Sequence, residues 1–159
     1  MYILGVESAR GALVRSTEIV YQTSTISPLG GVTLAGFIRN GRGLPADSLR
    51  VFGRYALVYL LDGQGEYRDA NRQQFDVNPG DALIVFPDLP HRYGPLPGSR
   101  WSEFYIVFEG SAFDLWRSVG LLDPTRIKWP LGPMQYWLDR LLAILEPASP
   151  LIMVSRLQQ

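Results

Sequence analysis

Between residues 55 and 110 the chain alternates short apolar runs with clusters of turn-forming residues: YALVYLLDGQGEYRDANRQQFDVNPGDALIVFPDLPHRYGPLPGSRWSEFYIVFEG. Apolar/polar alternation broken by Gly, Pro, Asn and Asp is the signature of short antiparallel strands closing into a small barrel. The pattern predicts strands over 55–61, 65–68, 73–77, 82–86, 91–93 and 101–108. Asp62-Gly63 reads as a hairpin turn, because both positions tolerate positive φ. Ala70-Asn71 reads as a second turn. Asn78-Pro79-Gly80-Asp81 suits a type II turn, with Pro79 presetting φ and Gly80 supplying the positive φ after it. Upstream, 17–25 alternates weakly, 27–31 breaks it, and 32–39 is a strand with Val32, Leu34, Gly36 and Ile38 on one face. Residues 40–47 form a polar loop containing Gly and Pro.

After residue 110 the period changes. A short helix is predicted over 113–119, ending near Gly120, then a strand at 127–129. Met134, Trp137, Leu138, Leu141, Leu142 and Leu145 then recur at i, i+3, i+4, i+7, i+8 and i+11, the stripe of an amphipathic helix. Pro147 and Pro150 interrupt it, and 151–157 has the makings of a second helix. The expected fold is mostly β with C-terminal α: residues 1–130 as an antiparallel β-barrel and 131–159 as a helical segment. No internal repeat or low-complexity stretch is present.

Composition narrows the function. The 159 residues are 47% hydrophobic and 12% aromatic, which argues against disorder. Net charge is zero, Lys128 is the single lysine, and the fourteen arginines are scattered among fifteen carboxylates, so this chain alone is not expected to bind DNA well. Absence of cysteine excludes disulfides and thiolate metal sites and fits a cytoplasmic protein. The first residues, MYILGVESAR, do not read as a secretory signal, and no apolar run is long enough to span a bilayer. With His91 as the only histidine, a redox metal site is not expected, and no cofactor is implied. There is neither a P-loop nor a nucleophile elbow.

The segment 55–110 resembles the N-terminal effector-binding domain of the arabinose-operon regulator (AraC) family. The resemblance lies in the apolar strand ending at Gly63, the turn Asn78-Pro79-Gly80-Asp81, the hairpin Phe86-Pro87-Asp88-Leu89-Pro90-His91-Arg92-Tyr93-Gly94, and then Trp101 and Phe108. It covers roughly residues 30–130. It implies a cupin-like jelly roll, then helices that dimerise, and a DNA-binding domain with two helix-turn-helix motifs that would lie outside this sequence. The expectation is therefore that the chain is the sensor part of a longer regulator.

The barrel mouth is the expected pocket. On the strand 101–109, Trp101, Glu103, Tyr105 and Val107 share one face, and Ser102, Phe104, Ile106 and Phe108 the other. The second set reads as core between sheets. The first mixes aromatics with a carboxylate, suited to the C–H faces and hydroxyls of a sugar. The resemblance places effector contacts at Tyr93, Glu103 and Tyr105, where the family's sugar-binding member has tyrosine, histidine and tryptophan. It offers Arg50 and Arg54 as candidates for a pocket arginine. His91 and Trp101 complete the candidate ligand-binding set. Each also has a structural reading: tyrosines as core, Glu103 in an ion pair, His91 hydrogen-bonded in its turn, the arginines solvated, and Trp101 capping the barrel end. The stripe Met134–Leu145 is either docked on its own barrel or a homodimer seam. The expected function is effector sensing, with a small polar metabolite, a sugar by preference, shifting the arrangement of an N-terminal arm within 1–25. The alternative is a metal-free cupin enzyme acting on a carbohydrate through Glu103 and Tyr93.

Overall fold

The computed structural model describes residues 14–43 and 48–146. Among the described residues nine strands and two helices follow one another: β1 (Ser16–Gln22), β2 (Gly31–Gly41), β3 (Tyr55–Gly63), β4 (Gly65–Asp69), β5 (Gln74–Val77), β6 (Asp81–Val85), β7 (His91–Pro95), β8 (Trp101–Glu109), α1 (Ser111–Ser118), β9 (Lys128–Pro130) and α2 (Met134–Ala143). They build a six-stranded sheet in the order β1-β2-β8-β3-β6-β9 and a three-stranded sheet in the order β5-β4-β7. Every pairing is antiparallel. The predicted mostly-β architecture with C-terminal helices is what the chain adopts. Residues 1–13, most of the predicted arm, and 147–159, which include the predicted second helix at 151–157, lie outside the described residues.

The Asn-Pro-Gly-Asp turn forms as predicted: Asp81 N–H donates to Asn78 O at 2.9 Å, and Gly80 takes φ 91°. The Asp62-Gly63 hairpin does not form. Gly63 has positive φ, but β3 pairs with β6 and β8 whereas β4 pairs with β5 and β7. The chain therefore changes sheets at Gln64. A local turn signal fixes backbone φ; it does not fix which strand becomes the partner.

β8 is central, hydrogen-bonded to β2 on one edge and β3 on the other. Both its faces are covered, in the reverse of the expected sense. Phe108 packs on Phe113 of α1 with ring centroids 4.6 Å apart, and Phe104 packs on Phe37 of β2 at 4.9 Å. Trp101, on the other face, stacks on Tyr93 of the small sheet at 5.8 Å. The set Ser102, Phe104, Ile106, Phe108 thus looks away from the small sheet, and the Trp101/Glu103 set looks toward it. Alternation gave the two faces but not which face met the second sheet.

The helical layer is tied down by directed bonds. The Tyr55 hydroxyl donates to Asp114 at 2.9 Å, Arg117 pairs with Asp88 at 2.7 Å, and the Tyr59 hydroxyl donates to Leu131 O at 2.6 Å. In α2 and the turn after it, Leu141 is buried while Met134, Trp137, Leu138, Leu142 and Leu145 pack half-buried against the core. The stripe docks on its own barrel.

At the entry to α1, Gly110 (φ 128°) and Gly30 (φ 109°) face each other. A Cβ on Gly110 would run into the backbone of Gly30 and stand 2.6 Å from Leu29 O. Gly98 also has positive φ, 77°, but open space around it. Gly98→Ala should cost only backbone strain, about 1 kcal/mol, and Gly110→Ala at least twice that, because backbone must also move. Paired thermal melts measure the difference; equal losses would show the close approach to be unimportant.

Candidate functional site

Where β2 and β3 finish and β8 starts, a cavity of ≈ 170 Å³ opens. Tyr93, Trp101, Glu103 and Arg50 form its inner wall, and the exposed Arg15, Arg42 and Gly43 its rim. Ile38 and Gly41 at the end of β2 complete it. Arg50 is held there by backbone pairing beside β7: its N–H donates to His91 O at 2.9 Å, and His91 N–H donates back to Arg50 O at 3.0 Å. Its guanidinium lies 5.8 Å from the Tyr93 ring centroid, and Nη2 is 3.4 Å from the Tyr93 hydroxyl. Its Nε is buried and has no hydrogen-bond partner.

Behind the cavity runs a ladder of near-parallel rings. Phe75 stacks on Tyr67 at 4.9 Å, Tyr67 on His91 at 6.3 Å, His91 on Tyr93 at 5.9 Å and Tyr93 on Trp101 at 5.8 Å. His91 Nδ1 lies 2.8 Å from Leu89 O, so this nitrogen carries the proton. Burial depresses its pKa, with the charge of Arg50 adding to the effect against the Leu89 bond and Asp69. The imidazole is therefore neutral, with Nε2 buried and unpartnered.

Glu103 is 4% exposed. Burial pushes its carboxyl up to about 7, although Arg50, the Trp101 indole and Arg15 all favour the charged form. Burial and then the Glu103 charge raise the pKa of Tyr93; the same two causes raise that of Tyr105. Near neutral pH the site thus holds a carboxyl that gains or loses its proton readily, a common property of functional sites.

Of the predicted set, Tyr93, Glu103, Trp101 and Arg50 are brought together. Tyr105 shares the Glu103 face but does not line the cavity; it lies across Gly36, whose missing side chain makes room for it, the hydroxyl being 2.9 Å from where a Cβ would stand. His91 sits one ring behind Tyr93. Arg54 stacks over Phe52 at 5.4 Å, outside the cavity wall. Sequence reasoning missed Arg15 and Arg42. No spacing marks them: one precedes an edge strand and the other sits in a loop read only as polar. A second cavity of ≈ 160 Å³, lined mostly by apolar groups including Leu57, Ile84 and Trp129, lies on the helical side of the large sheet. Among the described residues no three His, Asp or Glu side chains cluster to hold a metal ion, and no helix is long and apolar enough to cross a membrane.

The Glu103 shift has a definite sign. Between about pH 4.5, the ordinary carboxyl value, and about 7, the folded carboxyl keeps its proton while the unfolded one has released it. Stability therefore falls as pH rises across that window, by roughly 3 kcal/mol. Glu103→Gln should remove this slope and leave the variant more stable than the parent at about pH 8. Urea titrations across the range check it; an unchanged slope would mean that Glu103 is not the group concerned.

Comparison with known proteins adds a family and a set of similar folds. The chain matches the family described as AraC-like ligand binding domain over residues 45–159. No curated protein matches it. Among solved structures, it is similar to the protein YhaK from Escherichia coli, at 16% identity and TM-score 0.45, over 61% of this chain and 45% of that one. It therefore spans less than half of YhaK. It is also similar to an RmlC-like cupin family protein with a double-stranded β-helix fold from Methanocaldococcus jannaschii, at 15% identity and TM-score 0.43, over 72% of this chain and 97% of that one. A cupin 2 conserved barrel domain protein from Salinispora arenicola is similar at 11% identity and TM-score 0.45, over 75% and 98%.

Proposed function

The chain belongs to the family of AraC-like ligand binding domains, and from that premise we propose that it is the effector-sensing part of a cytoplasmic transcription regulator. The effector is a small polar metabolite of the sugar type, bound in the cavity between Arg50, Tyr93, Trp101 and Glu103. DNA is reached through a helix-turn-helix domain outside these 159 residues. The observation that carries this is a cavity with an aromatic wall and convergent polar groups, the usual make-up of a small-molecule site. Arg15, just before β1, supports a role for the N-terminal segment: a ligand touching both Arg15 and the inner wall would favour one arrangement of that segment over another. A panel of sugars and sugar derivatives should contain at least one that raises the melting temperature by about 5 °C at a hundredfold excess over its Kd. Silence across the whole panel would count against sensing.

Homodimerisation through the C-terminal helices belongs to the same proposal. Docking on the barrel fully buries only Leu141 of the α2 stripe; the other five keep part of their surface, next to exposed Tyr136 and Ile144. Sedimentation velocity over a concentration series should show a monomer–dimer equilibrium that shifts toward monomer in Trp137→Ala. A monomer at every concentration would remove dimerisation from the proposal.

One observation favours a second reading. A carboxyl at about 7 in an open cavity is what a metal-free acid/base enzyme acting on a carbohydrate would need. Turnover of a sugar substrate that is lost in Glu103→Gln would support it.

A further inference from the structure

Over the whole chain, fifteen basic residues balance fifteen carboxylates. At the cavity the balance fails. Its wall carries three guanidinium groups, Arg15, Arg42 and Arg50, against one carboxyl, Glu103. None of the three arginines is in an ion pair with another described residue, whereas Arg39 pairs with Glu18, Arg92 with Glu66 and Arg117 with Asp88. Arg50 is the most constrained: stacked beside Tyr93, pinned through its backbone to β7, and holding a buried Nε without a hydrogen-bond partner.

Gathering three cations around a small space is unfavourable unless something negative sits among them. Guanidinium forks suit planar or tetrahedral oxyanions, which accept two parallel N–H bonds at once. A neutral sugar would offer hydroxyls but no charge. The room is limited. A cavity of about 150 Å³ accepts a benzene ring, and this one is ≈ 170 Å³. The wall opposite the rim, Trp101 and Tyr93, offers aromatic surface for one flat or C–H-bearing body.

We infer that the effector is an oxyanion-bearing metabolite of single-ring size, its carboxylate or phosphate ester engaging Arg50 and the rim arginines Arg15 and Arg42, its ring lying against Trp101 and Tyr93. This rests on the cavity being the effector site and narrows the sugar-type effector to an acidic one. Glu103 then acts as a proton-linked gate on affinity. The groups facing it are Arg50 from the segment before β3, Arg15 from the segment before β1, Tyr93 on β7, and Trp101 and Tyr105 on β8. An anion arriving beside it favours its neutral form, so binding takes up a proton and weakens as pH rises through the neutral range.

Calorimetric titrations decide it, with matched probes: glucose, galactose and mannose as neutral sugars, their uronates as carboxylates, and their 6-phosphates as phosphate esters. At least one anion should bind about tenfold or more tightly than its neutral parent, and the class that does so distinguishes carboxylate from phosphate. Its affinity should be several-fold higher at about pH 6 than at about pH 8, with that difference lost in Glu103→Gln. Arg50→Gln and Arg42→Gln should each weaken the anion about tenfold, a larger loss than either causes for a neutral sugar. Arg42 is exposed at the rim, so its variant keeps the readout if Arg50→Gln fails to fold. Anion binding indifferent to Arg42→Gln overturns the inference. Neutral sugars that bind while no anion does also overturn it and leave effector sensing standing. A panel in which nothing binds removes both.

Discussion

The stack of five rings, Phe75, Tyr67, His91, Tyr93 and Trp101, is the interaction on which the rest of the molecule is hung. It begins on β5, passes through β4 and β7, and ends on β8, so it fastens the small sheet to the large one. Aromatic contact of this kind contributes about 0.5–1.5 kcal/mol per pair beyond burial, and it fixes relative position as well. Trp101 sets the start of β8, and with it Glu103 two residues later on the same face. The imidazole can sit in the middle because it is neutral, its one N–H spent on Leu89. A stack with a charged ring at that depth would carry a desolvation cost that the Leu89 bond and Asp69 do not offset.

The same packing creates the electrostatic tension at the cavity. Glu103 is buried by the sheets that the ladder joins, and burial outweighs the pull of Arg50 and Arg15 on its charge. The arginines are near enough to be felt and too far to form an ion pair. A structure selected for stability alone would close that gap or replace the acid by an apolar residue of similar volume. Retaining an incompletely compensated acid beside incompletely compensated bases is what a site prepared for a ligand looks like, since the missing charge can arrive with it.

Much of the fold was legible in the chain because the signals that encode it are local. Alternation through Tyr55 to Leu61 and Trp101 to Phe108, the Asn78–Asp81 turn and the 3.6-residue stripe of α2 each depend on a few consecutive residues, and each is found where expected. The strand partners of β3 and the side of β8 that meets the small sheet were not legible, because both are decided by which distant segment covers which face. The site divides the same way. Glu103 and Trp101 were marked by their alternation on one strand and Tyr93 by its hairpin; Arg50 was suggested only by the family. Arg15 and Arg42 reach the cavity from chain ends and loops that carry no period. Glu103 offers no sequence sign that its proton is held to about pH 7; that property belongs to burial alone.

The position of Arg15 joins these two halves. It precedes β1, an edge strand whose side chains are exposed except for Tyr21, and which is paired only with β2. Such a strand is held mainly by its backbone ladder and by contacts at bare spots such as Gly36, which Glu18, Ile19 and the Tyr105 hydroxyl approach closely. Little apolar burial holds it, so the free energy that separates attached from detached is small, and a modest bias is enough to move it. In the proposed function the bias comes from the ligand, through Arg15, which reaches the cavity wall. A charge bridging Arg15 to Arg50 adds its interaction only when the strand is in place. That differential contact is all a population shift requires, and it explains how a cavity of single-ring size can govern an element as long as the N-terminal strand.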